Sequence, residues 1–175
     1  MRILITKKGN MKFNQKILEK ISVLDQLFID TEQCCNIAGQ VQSVDIESKL
    51  QQFDIIQEEV NELLTAIGNH DLTEQLDACV DTLVTVFGFM LKLQYQGADL
   101  DKAMLKTGAN NLTKFPTDRD VAEATIQKYK NKGINVGISF NPVYNRWVIK
   151  DNNGKYKKPV GFVDNDLTDC FIKEK

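Results

Sequence analysis

Histidine is almost missing from this 175-residue chain, His70 being the only one. The His70-Asp71 pair has the form of a dipeptide used by one class of phosphohydrolase, but that site needs several histidines. His70 therefore reads as a surface residue, and the same shortage argues against serine and cysteine triads. No Gly-x-x-x-x-Gly-Lys-Ser/Thr loop occurs, so a P-loop kinase or ATPase is not expected. Cys34, Cys35, Cys79 and Cys170 lack zinc-ligand spacing and read as reduced thiols in or near a core. No apolar run reaches the length of a membrane span, and Met1–Thr6 is too short for a signal peptide before Lys7-Lys8. A cytoplasmic, reducing location without a membrane partner is the expectation. A net charge of −2 offers no global attraction for nucleic acid, so none is expected as a partner. The charge is uneven, with +4 over residues 122–175 and −6 before them. The basic tail reads as solvated surface.

Acids are what the chain has in pattern. One run is Gln57-Glu58-Glu59-Val60-Asn61-Glu62-Leu63-Leu64, and a second is Glu74-Gln75-Leu76-Asp77-Ala78-Cys79-Val80-Asp81. A helix turns about 100° per residue, so positions three and four apart share a face. In the first run Phe53, Ile56, Val60, Leu63, Leu64 and Ile67 make an apolar stripe, while Gln57, Glu58, Asn61 and Thr65 suit water. Glu59 and Glu62 share a second stripe with Ile55 and Ala66, which suggests protein contact. The second helix is apolar almost all round from Leu76 to Leu93, the pattern of a buried helix. Glu74, Asp77 and Asp81 nevertheless form one stripe, continued by Thr85 and Gly88, whose small size leaves room for a ligand. Neither acidic run contains a Lys or Arg. Like charges on packed faces need compensation. A hard cation with oxygen ligands, Mg²⁺ or Mn²⁺, would supply it.

Helical periodicity also runs from Ile17 to about Ile37, after a short strand or irregular start over residues 2–6. Residues 39–44 are a break, Asp45 or Ser43 is positioned to cap the first acidic helix, and Gly68-Asn69 ends it. Thr73 is a plausible cap for the second, which Gly97 ends. A further helix spans about Asp99–Asn110, and a short one Val121–Lys132. Ile134–Phe140 and Arg146–Lys150 pattern as strands, with Asp151-Asn152-Asn153-Gly154 as a tight turn after them. Trp147 and Tyr144 could stack on a base, though packing of the strands accounts for them more simply. The expected fold is mainly α. It is a bundle of four or five helices over residues 1–120, with a helix-plus-hairpin appendage over 121–175.

Glu59-x-x-Glu62, a short loop and an acid pair ending in Asp81 resemble the all-α nucleoside triphosphate pyrophosphohydrolases. That superfamily includes the MazG-like and phosphoribosyl-ATP pyrophosphohydrolases. Asn111-Leu112-Thr113-Lys114-Phe115-Pro116 is similar to its phosphate-holding N-x-x-[KR]-[FY]-P element. The chain departs from the E-x-x-D pattern at Ala78, where Glu would stand. It offers either Asp77-x-x-x-Asp81, the form closest to phage-encoded MazG-like proteins, or Glu74-x-x-Asp77. The resemblance implies a MazG-like bundle and a Mg²⁺-dependent enzyme converting a (d)NTP and water to the monophosphate and pyrophosphate. Glu59, Glu62, Asp77 and Asp81 would hold the metal, with Glu74 as a further ligand, either Glu62 or Glu74 as general base and Mn²⁺ as a substitute. Asn111 and Lys114 would bind substrate, with Arg119 a weaker candidate. A homodimer or homotetramer, acting in the host cytoplasm if phage-encoded, is implied too. The alternatives are a phosphoribosyl-ATP or modified-nucleotide pyrophosphohydrolase, or a catalytically weak helical module binding nucleotides or protein.

Overall fold

The computed structural model describes residues 8–172, with side-chain environments from residue 23 onward. The expected start over residues 2–6 and the side chains of Ile17 and Ile21 lie outside that range. The chain forms two compact units, one ending at Ala98 and the other beginning at Asp99. The helix expected over 99–110 thus belongs to the C-terminal unit, whereas the sequence reading divides the chain after residue 120.

The first unit contains α1 (Lys8–Ile37), α2 (Ile46–Gly68) and α3 (Leu72–Tyr95). Helix α1 begins earlier than its apolar periodicity suggests, because Gly9 and Asn10 weaken a helix without breaking it. Helices α2 and α3 run antiparallel. Gln75 near the start of α3 donates to the Ala66 carbonyl near the end of α2 (3.2 Å). At the other end, Lys49 Nζ donates to Gln96 Oε1 (2.6 Å). Helix α1 lies on α3, where Phe28 meets Phe87 edge to face at 5.1 Å.

Aspartate starts four successive helices. Asp45 accepts from Ser48 N (2.7 Å) at α2, confirming one of the two expected caps. At α3 the cap is Asp71, accepting from Thr73 N (3.0 Å) and Glu74 N (3.2 Å), rather than Thr73. A carboxylate is the better acceptor there and also opposes the helix dipole. Asp99 and Asp118 cap α4 (Leu100–Leu112) and α5 (Arg119–Lys130) in the second unit.

There α5 packs on an antiparallel hairpin of β1 (Val136–Asn141) and β2 (Arg146–Asp151). Ala122, Thr125 and Ile149 are buried at this junction. Asn141 accepts from Val143 N and Tyr144 N, and Asn145 takes positive φ (52°), which closes the hairpin. The expected turn at 151–154 forms, with Asp151 Oδ1 accepting from Asn153 N and Lys155 N and Gly154 at φ 77°. A 3₁₀ turn at Thr168–Cys170 docks on α4, where Lys102 and Lys106 both reach Asp169. That pair of ammonium groups holds the Asp169 carboxyl down at about 2.

Candidate active site

The α2–α3 contact decides which acids meet protein. From α2 it takes Gln52, Ile56, Glu59, Leu63 and Ala66, at helical spacings of three and four. From α3 it takes Ala78, Asp81, Thr85 and Gly88. Glu59 and Asp81 are therefore half-buried, as expected for a packed face. Glu62, Glu74 and Asp77 are exposed, which corrects the expectation that every acid in the pattern packs against protein. The reason is the narrow contact between the two helices, which a step of 100° escapes. Phe53, Val60, Leu64 and Ile67 lie outside it, as do Leu76 and Val80, all more than two-fifths exposed. Helix α3 is consequently covered from Asp81 to Leu93, while before Asp81 only Gln75 and Ala78 are covered.

Glu59 sits in a field of its own sign. Burial raises its carboxyl above the ordinary glutamate range, and Glu62, Asp81, Glu58 and Asp77 push it further. Two of those neighbours come from the partner helix, so the two acidic runs do converge across the pair. Among the described residues, however, no three His, Cys, Asp or Glu side chains are gathered closely enough to hold a metal ion. The donor chemistry suits a hard cation, since all the groups are carboxylates.

Ala78, the residue that replaces the expected Glu, is 4% exposed. Its buried position faces the partner helix, and Asp77, one residue away, turns outward. The room expected beside Thr85 and Gly88 is already filled. Gln52 is buried there, its Nε2 donates to the Thr85 carbonyl (3.0 Å), and it lies 3.1 Å from where a Cβ on Gly88 would be. The Thr85 hydroxyl donates back along its own helix to Asp81 O (3.0 Å).

Beside this contact is an open groove of about 680 Å³ lined by Asp54, Glu58, Asn61, Glu62, Asp71 and Glu74 among others. Glu58 is exposed, as expected, yet it shares this groove with Glu62 and Glu74. The sequence signal for it is a polar stripe, Asp54, Glu58, Asn61, Glu62 and Thr65, at spacings of three and four. His70 is exposed at positive φ (56°) in the α2–α3 loop, consistent with a surface role.

Lys92 lies on α3 outside the acidic stripe. It is 3% exposed, and its Nζ donates to Gln40 O (2.6 Å), Ser43 O (3.1 Å) and Ser48 Oγ (2.8 Å). It thereby fastens the loop before α2. The four cysteines are free thiols. Cys34 and Cys79 are exposed rather than near a core, because Ala78 and Thr82 take the inward positions around Cys79. Burial raises the Cys35 thiol.

In the second unit Lys114 Nζ donates to Asn111 Oδ1 (2.7 Å), so the structure brings those two candidates together. Arg119 pairs with Glu123 one turn on (2.6 Å) and lies 5.8 Å from the centre of the Trp147 ring.

An antiparallel helix pair carrying convergent carboxylates, flanked by a third helix, resembles the arrangement implied for the all-α nucleotide pyrophosphohydrolases. Residues 40–109 match the family model described as phosphoribosyl-ATP pyrophosphohydrolase. The match spans the loop before α2, both acidic helices and most of α4, and there the resemblance to the superfamily holds. It supports a nucleotide pyrophosphohydrolase kind of activity. Asn111, Lys114, Arg119 and the hairpin fall outside the matched segment. No curated protein and no solved structure matched the chain significantly. Among the described residues no helix is long and apolar enough to cross a membrane.

Proposed function

We propose that the chain is a Mg²⁺-dependent nucleoside triphosphate pyrophosphohydrolase, releasing the monophosphate and pyrophosphate. The observation that carries this reading is Glu59, half-buried and raised by acids from both its own helix and α3. Glu59, Glu62, Asp77 and Asp81 would hold the metal, with Glu74 as a further ligand and either Glu62 or Glu74 as general base. Glu62 and Asp77 are exposed, and exposed carboxylates can rotate toward a cation. Mn²⁺ would substitute. The metal, when bound, would neutralise phosphate charge and activate water. Phosphoryl chemistry otherwise asks the protein mainly for positioning. Asn111 and Lys114 would meet the phosphates, with Lys114 acting as a point charge. Arg119 is the weaker substrate contact because its guanidinium already pairs with Glu123.

A homodimer or homotetramer completes the proposal. Phe53, Val60, Leu64 and Ile67 on α2 and Leu72 and Leu76 on α3 are all more than two-fifths exposed, and a second copy of this chain would cover them. A second substrate reading, phosphoribosyl-ATP, is favoured by the description of the matched family. Incubation with Mg²⁺ and each of the eight common NTPs and dNTPs, and separately phosphoribosyl-ATP, tests both. Monophosphate plus pyrophosphate from any nucleotide supports the first, and turnover of phosphoribosyl-ATP alone selects the second. Release of orthophosphate would reject cleavage between the α and β phosphorus atoms.

A further inference from the structure

The second unit contains a groove that the acids of α2 and α3 do not touch. Its floor follows from the hairpin register. Ser139 pairs with Val148, Asn141 with Arg146 and Gly137 with Lys150, and such cross-strand pairs share one face of the ribbon. Ile149 is buried on the opposite face, which also carries Trp147 and Phe140 at 4.8 Å from each other. Trp147 is thus a packing residue, leaving the other face available.

On that face lies a cavity of about 630 Å³, within the range of roughly 300–1,000 Å³ of small-molecule sites. Phe115 and Tyr156 stand in its wall edge to face, 5.2 Å between centroids. Arg146 holds that wall to the strand, its Nη1 donating to Phe115 O (2.8 Å) and Leu112 O (3.0 Å). Tyr144, 70% exposed at the hairpin tip, adds a third ring. Lys150 Nζ lies 4.8 Å from the centre of the Tyr156 ring. No Asp or Glu lines the cavity. Aromatic faces stack on planar heterocycles, and Lys150, over the face of Tyr156, offers a point charge to an anion beside them.

We infer that this groove binds a nucleoside phosphate, the base against Tyr144 and Phe115 and the phosphate near Lys150, which lies over the Tyr156 ring. The groove shares Leu112 and Phe115 with the element at residues 111–116 of the hydrolase reading, but no residue of the acidic helices lines it, so variants in those helices separate the two. Calorimetric titration of the full chain in EDTA with AMP, CMP, GMP and UMP tests it, since these are not substrates for pyrophosphate release. The expected result is saturable one-to-one binding by at least one of them, and weaker binding of the corresponding nucleoside. Tyr144→Ala and Lys150→Gln should each raise Kd at least about fivefold, the scale of one lost stacking or charge contact. Tyr144→Phe should restore most of the affinity, and Asp81→Asn should leave it unchanged. Three results would overturn the inference. One is no binding of any monophosphate, or equal binding by both groove variants. Another is loss of binding in Asp81→Asn, which would assign it to the acidic helices. The third is far tighter binding of a ten-nucleotide single strand, which would make the groove a nucleic-acid surface.

Discussion

At the scale of single residues, Glu59 concentrates the chemistry of the helix pair. Its carboxyl is raised first by burial and then by Glu62 and Asp81, so the charged form is disfavoured in the folded chain. The folded state therefore binds this proton more readily than the unfolded state, and stability contributed by protonation is lost as pH rises through the folded value. In chelator at pH 7, Glu59→Gln should be more stable than the parent chain. The advantage should shrink as pH falls and Glu59 takes up its proton. Urea melts at several pH values check this, and equal stability at pH 7 would show that Glu59 carries no strain. Mg²⁺ should stabilise the parent chain more than the variant, since a ligand bound to the folded state shifts the equilibrium. Glu59 and Asp81 were legible as half-buried acids because stripe and interleaved apolar residues agree. The exposure of Glu62, Glu74 and Asp77 was not legible, since one chain's periodicity does not give the width of a helix contact.

At the scale of elements, α2 and α3 are tied together by polar side chains as well as apolar ones. Gln52 fills the space over Gly88, and Lys92 gathers three acceptors from the loop and first turn before it. Lys92→Met should cost about 1–3 kcal/mol, since hydrogen bonds to a charged donor are lost and two loop carbonyls lose a partner. Denaturant unfolding measures it, and a change below about 0.5 kcal/mol would mean the loop is held otherwise. The existence of α2 to α5 and of the hairpin was readable because each has its own period and stop signal. The starts of α2 to α5 were readable only to within a few residues, and that of α1 not so closely. Asp71 capping α3 in place of Thr73 shows why, because two adjacent residues of capping type differ only in how well each accepts. Lys92 escaped notice because an isolated lysine in an apolar helix carries no sequence sign of the loop it holds.

At the scale of the whole molecule, the first unit leaves an apolar face open along α2 and the start of α3. Leu64 is 67% exposed there, and Leu64→Glu should convert the proposed dimer to monomer without unfolding the helix pair. Sedimentation velocity reads the change, and a parent chain that is already monomeric at micromolar concentration would reject the assembly. The charge of the chain is divided between the units, and the acids sit where the family match lies while the hairpin groove sits outside it. The most direct test of the account is turnover by three variants under Mg²⁺ with the best nucleotide, monophosphate and pyrophosphate being resolved. Glu59→Gln and Asp81→Asn should each lower kcat at least about a hundredfold, as expected when charge stabilisation at the reacting phosphate is removed. Glu58→Gln should keep most of the activity. Comparable rates in all three would contradict the assignment of catalysis to the acids that face each other across α2 and α3.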